Sequence, residues 1–520
     1  MAAYKWLVLA VVVTGSFTVI LDTTVVNVAL PMIMLTLGTD LERGQLVLSA
    51  YLLALALVVP ATGFLSDRLG TKRLYILSIT GFTVGSLLCG LAWDINSLIL
   101  FRFIKGLAGG ITMPLGLALM FRTVPRSEQG SMMGIFGLPI IMAPVFGPVI
   151  GGFLVETVSW RMVFFINLPV GILGAVLAIF LLRETEKVPA RRFDYKGFIL
   201  AAIGFSSMLL ALTRAPQDGW GAPNVLALFL VAVVSLTAWV IVELTEESPL
   251  LDLRIFRNLP FTLSASVYFI GTMVLISVVF LMPLFLQQVR GLSPIQTGLL
   301  LMPQGIALAI ALPLTGRLYD KVGPRPLIIP GIIGAAYATF QLHDLNLSTS
   351  DATLIKILML RGVSSALMFI PAITLTMSLV PRDQLPQASA LTNSLRQLFP
   401  AFATAAFATI LTVRQAFHFG NLAQTVTPGS LTAMQVLSGL EKAATRYGVP
   451  NGMAEQTAIL MLDTVVQREA AVKAFNDTFF IAAILILLAL APALFLRRPK
   501  VEDEPVPAAN VPKAETQPAD

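Results

Sequence analysis

The chain is poor in the residues from which enzyme sites are usually built. Its 520 residues include one cysteine and two histidines. Cys89 alone can form neither an internal disulfide nor a multi-cysteine metal site. His343 and His418 both fall in stretches that read as loops, leaving little material for a metal centre or a catalytic triad. No G-x-x-x-x-G-K-[ST] loop is present to cradle phosphates, which argues against ATP as an energy source within this chain. Charge is scarce as well: 12% of residues are Asp, Glu, Lys or Arg, where a soluble domain carries about 25%.

Apolar residues are abundant instead. They make up 56% of the chain, and the mean hydropathy is +0.83. Such a chain cannot cover its apolar surface with polar groups in water, so it belongs in a bilayer. The first apolar run, from Leu7 to Leu37, is too long for a signal-peptide core and has no small-residue cleavage site after it, so it reads as a first transmembrane helix. About 20 predominantly apolar residues span a bilayer core. That criterion predicts spans at 6–35, 46–65, 74–92, 98–121, 131–155, 162–182, 197–213, 224–243, 261–286, 298–316, 326–341, 354–380, 387–411 and 475–496, fourteen in all.

Basic residues orient these spans, because cytoplasmic loops carry an excess of Lys and Arg. With an even number of spans, one set of short loops and ends holds twenty Lys and Arg, among them Arg68, Lys72, Arg73, Arg122, Arg317 and Lys321. The opposite set holds four: Arg43, Arg161, Arg214 and Arg290. Both termini are therefore expected in the cytoplasm. The net charge of +6 reads as an orienting device, with a patch for anionic lipid compatible with the same residues, and not as a sign of nucleic-acid binding. Residues 412–474 read as a long external segment with one surface helix at LTAMQVLSGLEKAATR, and 501–520 as a disordered tail. Trp93, Trp160 and Trp220 fall at the external ends of spans, as interfacial anchors would.

The chain also repeats itself. GFLSDRLGTKR at 63–73 and GRLYDKVGPR at 316–325 share a frame in which Gly63, Asp67 and Gly70 match Gly316, Asp320 and Gly323 at a constant offset of 253 residues. Arg102 and Arg361 fall in the fourth and twelfth spans, and Val-Pro-Arg occurs at 124–126 and 380–382. Six spans occupy about 180 residues here, so the longer offset leaves room for two additional helices between two six-helix halves. The resulting division is 1–182, a six-helix bundle; 183–258, two linker helices; and 259–500, a second six-helix bundle.

Ionised residues fall inside apolar spans of the first half. A carboxylate at bilayer depth costs roughly 2.5–3.5 kcal/mol on insertion scales, so Asp22, in LDTTVVNVALP at 21–31, is a functional hypothesis by default. Its alternatives are snorkelling to water or a structural contact, with Asn27 as the neighbouring amide. Arg102 must face the protein interior or a watery cavity, as a coupling residue or as a structural hydrogen-bond donor. Lys105 lies one turn from Arg102, so two like charges share a helix face.

These stretches together resemble the major facilitator superfamily over nearly the whole chain and, more narrowly, its fourteen-helix drug:proton antiporters. LDTTVVNVALP is similar to that family's first-helix motif, with Asp22 and Asn27. The loop motif is matched by Gly63, Asp67, Arg68, Gly70 and Arg73, and by Asp320 in the second half. LILFRFIKGLAGG at 98–110 is similar to the motif around an embedded arginine. APVFGPVIGG at 143–152 is similar to the antiporter motif, with Pro144, Gly147, Pro148, Gly151 and Gly152. The sequence departs from the family at Lys105, where glutamine is usual, and at RQLFPAFATA (396–405), where glycines are usual.

The resemblance implies an all-α membrane protein of the major facilitator fold and an antiporter that exports hydrophobic, cationic compounds across the cytoplasmic membrane by alternating access. The proton gradient would replace any cofactor. Asp22 and Arg102 would serve coupling, the loop motif a cytoplasmic latch, and the proline–glycine motif a bend with tight packing between the halves. Phe164, Phe165, Met282 and Phe285 are candidates for a greasy cavity lining, or for plain packing. A dedicated exporter of one metabolite and a non-transporting sensor are the alternatives, and no segment identifies a periplasmic adaptor.

Overall fold

The computed structural model describes residues 2–184, 193–426 and 430–497. The expected disordered tail at 501–520 lies outside them. Within a bilayer every backbone polar group must be satisfied internally, and the described chain answers with helices throughout. The fourteen long helices are α1 (Ala2–Leu37), α2 (Arg43–Leu69), α3 (Thr71–Gly90), α4 (Ile95–Thr123), α5 (Gln129–Phe136 and Leu138–Thr157, broken at Gly137), α6 (Met162–Leu181), α7 (Tyr195–Asp218) and α8 (Pro223–Thr245), then α9 (Leu259–Val289), α10 (Pro294–Val322), α11 (Arg325–Gln341), α12 (Asp351–Ser378), α13 (Leu385–Thr425) and α14 (Gly452–Leu494).

Twelve of these, among the described residues, are long and apolar enough to cross a membrane. The other two are α5, whose second segment has 20 residues, and α11, with 17. All fourteen expected spans are thus helices. Their starts are set by local caps. Asp94 and Ser97 form a capping box at α4, and Ser293 and Gln296 form one at α10. Hydrogen bonds from Ser97 hold the carboxyl of Asp94 below the usual carboxylate range.

The internal repeat is geometric as well as textual. Gly70 closes the α2–α3 corner at φ +88°, and Gly323 closes the α10–α11 corner at φ +83°, a left-handed conformation that only glycine adopts cheaply. Each corner then docks on the opposite half. A Cβ on Gly63 would lie 2.8 Å from Cγ of Gln387 in α13, and one on Gly316 would lie 2.1 Å from the carbonyl oxygen of Gly130 in α5. The α7–α8 hairpin packs across the same seam: Phe205 and Trp239 share a core with Ala390 and Leu391 of α13.

The expected long external segment is largely helical. α13 continues to Thr425 and α14 already begins at Gly452, with the helix Leu431–Arg446 between them. His418 is therefore helical and not in a loop. Falling hydropathy had marked the membrane boundary, but the helices run on past it because polar pairs replace lipid contact. Nε of Arg414 and Nε2 of His418, one turn apart on α13, both lie 2.6 Å from Oδ2 of Asp477 on α14. Trp93 is exposed as an anchor would be, whereas Trp160 is buried against Phe164 and does not serve as one.

The two halves touch through α5 and α10 at the end that bears the two corners. There Gly130, Gly134 and Gly137 of α5 lie against Gly316 and Leu312 of α10, while further along α5 a Cβ on Gly152 would meet nothing within 4 Å. A side chain at Gly316 has no room to rotate away from backbone. Gly316→Val should therefore cost the closed arrangement about 1–3 kcal/mol. Spin labels on Arg126 and Lys321 should report a larger separation in the variant, and an unchanged distance would contradict this packing.

Candidate functional site

Asp22 does not snorkel and does not face open space. It is fully buried inside the α1–α6 bundle, where three donors converge on its two oxygens. Arg102 Nη1 lies 2.5 Å from Oδ2, and Lys105 Nζ lies 2.6 Å from Oδ1. Asn167 Nδ2 on α6 donates to Oδ1 at 3.0 Å. Residues 102 and 105 reach the same carboxylate because three residues along a helix return to one face. The like charges flagged in the sequence are thereby bridged by one anion.

A second layer fixes the two cations. Arg102 Nε donates to the Val47 carbonyl of α2 at 3.2 Å, and its guanidinium lies 4.2 Å from the ring centroid of Tyr51. Lys105 Nζ donates to Ser86 Oγ at 2.7 Å and lies 4.4 Å from the ring centroid of Phe82. Ser86 in turn donates to the Phe164 carbonyl at 2.8 Å. Arg102 and Lys105 are buried with Asp22, at 1% and 0% exposure. Ring faces here take the place that water would have around the cations.

Of the residues singled out in the sequence, Asp22 and Arg102 are thus brought together, and Asn27 is not. Asn27 sits exposed on α1, and the amide at Asp22 comes from Asn167. Phe164 belongs to the ion cluster, while Met282 and Phe285 are fully buried in the core of the second bundle. Asn167, Ser86, Tyr51 and Phe82 were not picked out in the sequence. Asn167, in the polar notch of INLPVG, carries the one visible signal; aromatics and a serine on apolar helices carry none.

The loop motifs form a separate constellation at the closed end. Asp320 accepts from the backbone N–H groups of Gly130 and Ser131, each at 2.9 Å, and from the Ser131 hydroxyl. It therefore binds the N-terminus of α5 from the opposite half, where the helix dipole favours an anion. Asp67, its repeat partner, is half-buried and lies within electrostatic reach of Arg122. Arg122 crosses the seam by donating to the carbonyls of Arg382 at 3.0 Å and Asp383 at 3.3 Å. Arg68 is exposed, and Arg73 makes a loose pair with Glu184 at 3.6 Å.

The proline–glycine motif packs within its own half. A Cβ on Gly147 would lie 2.0 Å from Thr24 Oγ1, and one on Gly151 would lie 3.1 Å from the Val25 carbonyl, both on α1. Pro144 and Pro148 lie outside the residues whose side chains are described. The expectation that this motif packs one half on the other is thus corrected: glycines earlier in α5 do so, and the helix breaks at Gly137. At 396–405, where glycines were expected, Phe399 stacks on Phe269 of α9 with ring centroids 4.6 Å apart. Between the halves a small cavity is lined by Met113, Phe136, Tyr268, Phe369, Asn393 and Arg396.

The family model described as Major Facilitator Superfamily matches residues 12–404. An uncharacterized MFS-type transporter of Bacillus subtilis, YhcA, is 31% identical over 94% of this chain and 92% of its own. The multidrug export protein EmrB of Escherichia coli is 29% identical over 93% of this chain and 94% of its own. Among solved structures, that of the human organic anion transporter MFSD10 superposes with a TM-score of 0.58 at 14% identity, covering 93% of this chain and 99% of that one.

Removing one partner from a buried ion group leaves the others uncompensated, at about 3–5 kcal/mol. Asp22→Asn strands two cations, whereas Arg102→Met leaves Asp22 with Lys105. Thermal unfolding of the purified protein in detergent should show the larger drop for Asp22→Asn, and the reverse order would contradict the charge arrangement.

Proposed function

The chain belongs to the major facilitator superfamily and is a multi-pass transporter of small molecules, not an enzyme; we infer that it is a proton-coupled antiporter exporting hydrophobic drugs across the cytoplasmic membrane. The observation that carries this reading is the ion cluster of Asp22, Arg102 and Lys105. A carboxylate and two cations deep in a helix bundle are expensive, and such groups mark proton relays and ion pathways in membrane proteins. The relative named as a multidrug export protein matches over nearly its full length, which supports drugs as the cargo.

The closed end supports alternating access. Inter-half contacts at Gly130, Gly316, Asp320 and Arg122 cluster where the basic loops lie, and the Lys and Arg excess there supports a cytoplasmic position for that end and for both termini. In this reading the shown arrangement is shut toward the cytoplasm, and cargo is released on the opposite side. The described lining between the halves offers aromatic and methionine surface with Arg396 and no carboxylate. That lining favours hydrophobicity over positive charge as the shared property of the cargo, a shift from the cationic compounds expected of the sequence.

Everted vesicles containing the protein should accumulate ethidium and an uncharged hydrophobic dye when the lumen is acidified, and should stop when nigericin collapses the pH gradient. Flux that ignores the gradient would rule out proton coupling. Movement of only one compound from a panel of unrelated dyes would point to a dedicated carrier.

A further inference from the structure

Granting that proton-coupled reading, we propose that Lys105, and not Asp22, carries the exchanged proton in this chain. Charge counting inside the sealed cluster leads there. With all three groups ionised, Asp22, Arg102 and Lys105 sum to one uncompensated positive charge at a site without solvent contact. Protonating Asp22 would raise that to two, with two cations 2.5 and 2.6 Å from a carboxyl that no longer compensates them. The guanidinium of Arg102 does not release its proton in proteins. Only the Lys105 amine can bring the cluster to neutrality, leaving Asp22 paired with Arg102.

The surroundings of Nζ accept both forms without moving the side chain. A neutral amine has two N–H groups, and two acceptors are in place, Asp22 Oδ1 at 2.6 Å and Ser86 Oγ at 2.7 Å. The third N–H of an ammonium finds the ring of Phe82, with that of Phe164 beyond it at 5.4 Å. The titratable or charged groups that face Nζ from the packed helices are Asp22 of α1, Tyr51 of α2, Cys89 of α3 and Arg102 of α4 itself; α6 contributes only the neutral Asn167 and Phe164. Asp22 and Arg102 cannot change charge within the range from zero to one unit, and Tyr51 or Cys89 could do so only by leaving a buried phenolate or thiolate, which a dry site disfavours more than the neutral amine of Lys105.

The step is a plain proton transfer. The amine lone pair takes H⁺ from water on the acidic side, forming the N–H bond of the ammonium, and returns H⁺ to water on the other side; no other bond changes. Added charge inside a dry site disfavours the sealed packing of α1, α3, α4 and α6, and loss of the proton restores it. A mobile charge on the α4 face therefore biases one conformation against the other by differential stability, as coupling requires. Glutamine, with no proton to exchange, stands at this position in the resembling family, so the assignment concerns this chain's own departure.

The test uses proteoliposomes of the full chain carrying wild type, Lys105→Gln or Lys105→Arg, with ethidium as probe. Two rates are compared: accumulation driven by an imposed pH gradient, and gradient-free exchange of internal for external dye. Folding of each variant is checked by thermal unfolding, and Lys105→Arg keeps a cation in place if Lys105→Gln fails to fold. The expected result is a ratio of driven to exchange rate at least tenfold below wild type in both variants, with dye-induced proton movement, read by pyranine, lost. A wild-type ratio in either folded variant would overturn the assignment to Lys105. Absence of driven accumulation in wild type would overturn the proton-coupled reading and this inference with it.

Discussion

A single carboxylate bound by two cations, in a place water does not reach, sets the arrangement of half this molecule. Lipid tails are as apolar as leucine, so apolar surface gives membrane helices little reason to associate, and close packing with polar contacts must do it. Asp22 supplies the contact that α1, α4 and α6 share. Lys105 extends it to α3 through Ser86, and Arg102 extends it to α2 through the Val47 carbonyl and the Tyr51 ring. Five helices are thereby fixed to one anion. The same dependence makes the site responsive, because any change in its charge is felt by all five at once.

The second half carries the repeat of the arginine without the repeat of the acid. Arg361 of α12 is fully buried, as Arg102 is, but its hydrogen bonds go to the Val274 carbonyl at 2.5 Å and the Thr339 hydroxyl at 3.2 Å. The α9–α14 side thus holds a fixed charge against neutral oxygens, while the α1–α6 side holds a cluster whose charge can change. The corners show a related division of labour. Asp320 binds the N-terminus of a helix in the other half, and its repeat partner Asp67 works near Arg122, which itself reaches across to Arg382 and Asp383. A symmetric frame therefore closes the molecule, and an asymmetric charge distribution decides what moves it.

Much of this was legible from residue order. Long apolar runs mark helices in any bilayer protein, so all fourteen were readable, and the positions of Lys and Arg gave the loops two sides. Gly70 and Gly323 announced matching corners because few residues but glycine occupy that backbone region. The surface helix at Leu431–Arg446 was readable, but the lengths of the helices flanking it were not, because hydropathy reports the membrane edge and not the helix edge; pairing of Arg414 and His418 with Asp477 carries α13 and α14 beyond it. At the site, charge in an apolar run singled out Asp22, Arg102 and Lys105. Their mutual contact was not readable, since it depends on how α1 and α4 are rotated about their axes. Tyr51, Phe82 and Phe164 were invisible for a simpler reason: an aromatic that faces a cation looks the same in sequence as one that faces lipid.

The most direct measurement is a double-mutant cycle in thermal unfolding, with Asp22→Asn and Arg102→Met made singly and together in the purified protein. If the buried ion group holds the bundle as described, the double variant should be more stable than the sum of the single losses predicts, by at least about 1 kcal/mol of coupling. Strict additivity would mean that the two residues do not act on one another, and the central interaction of this account would be wrong.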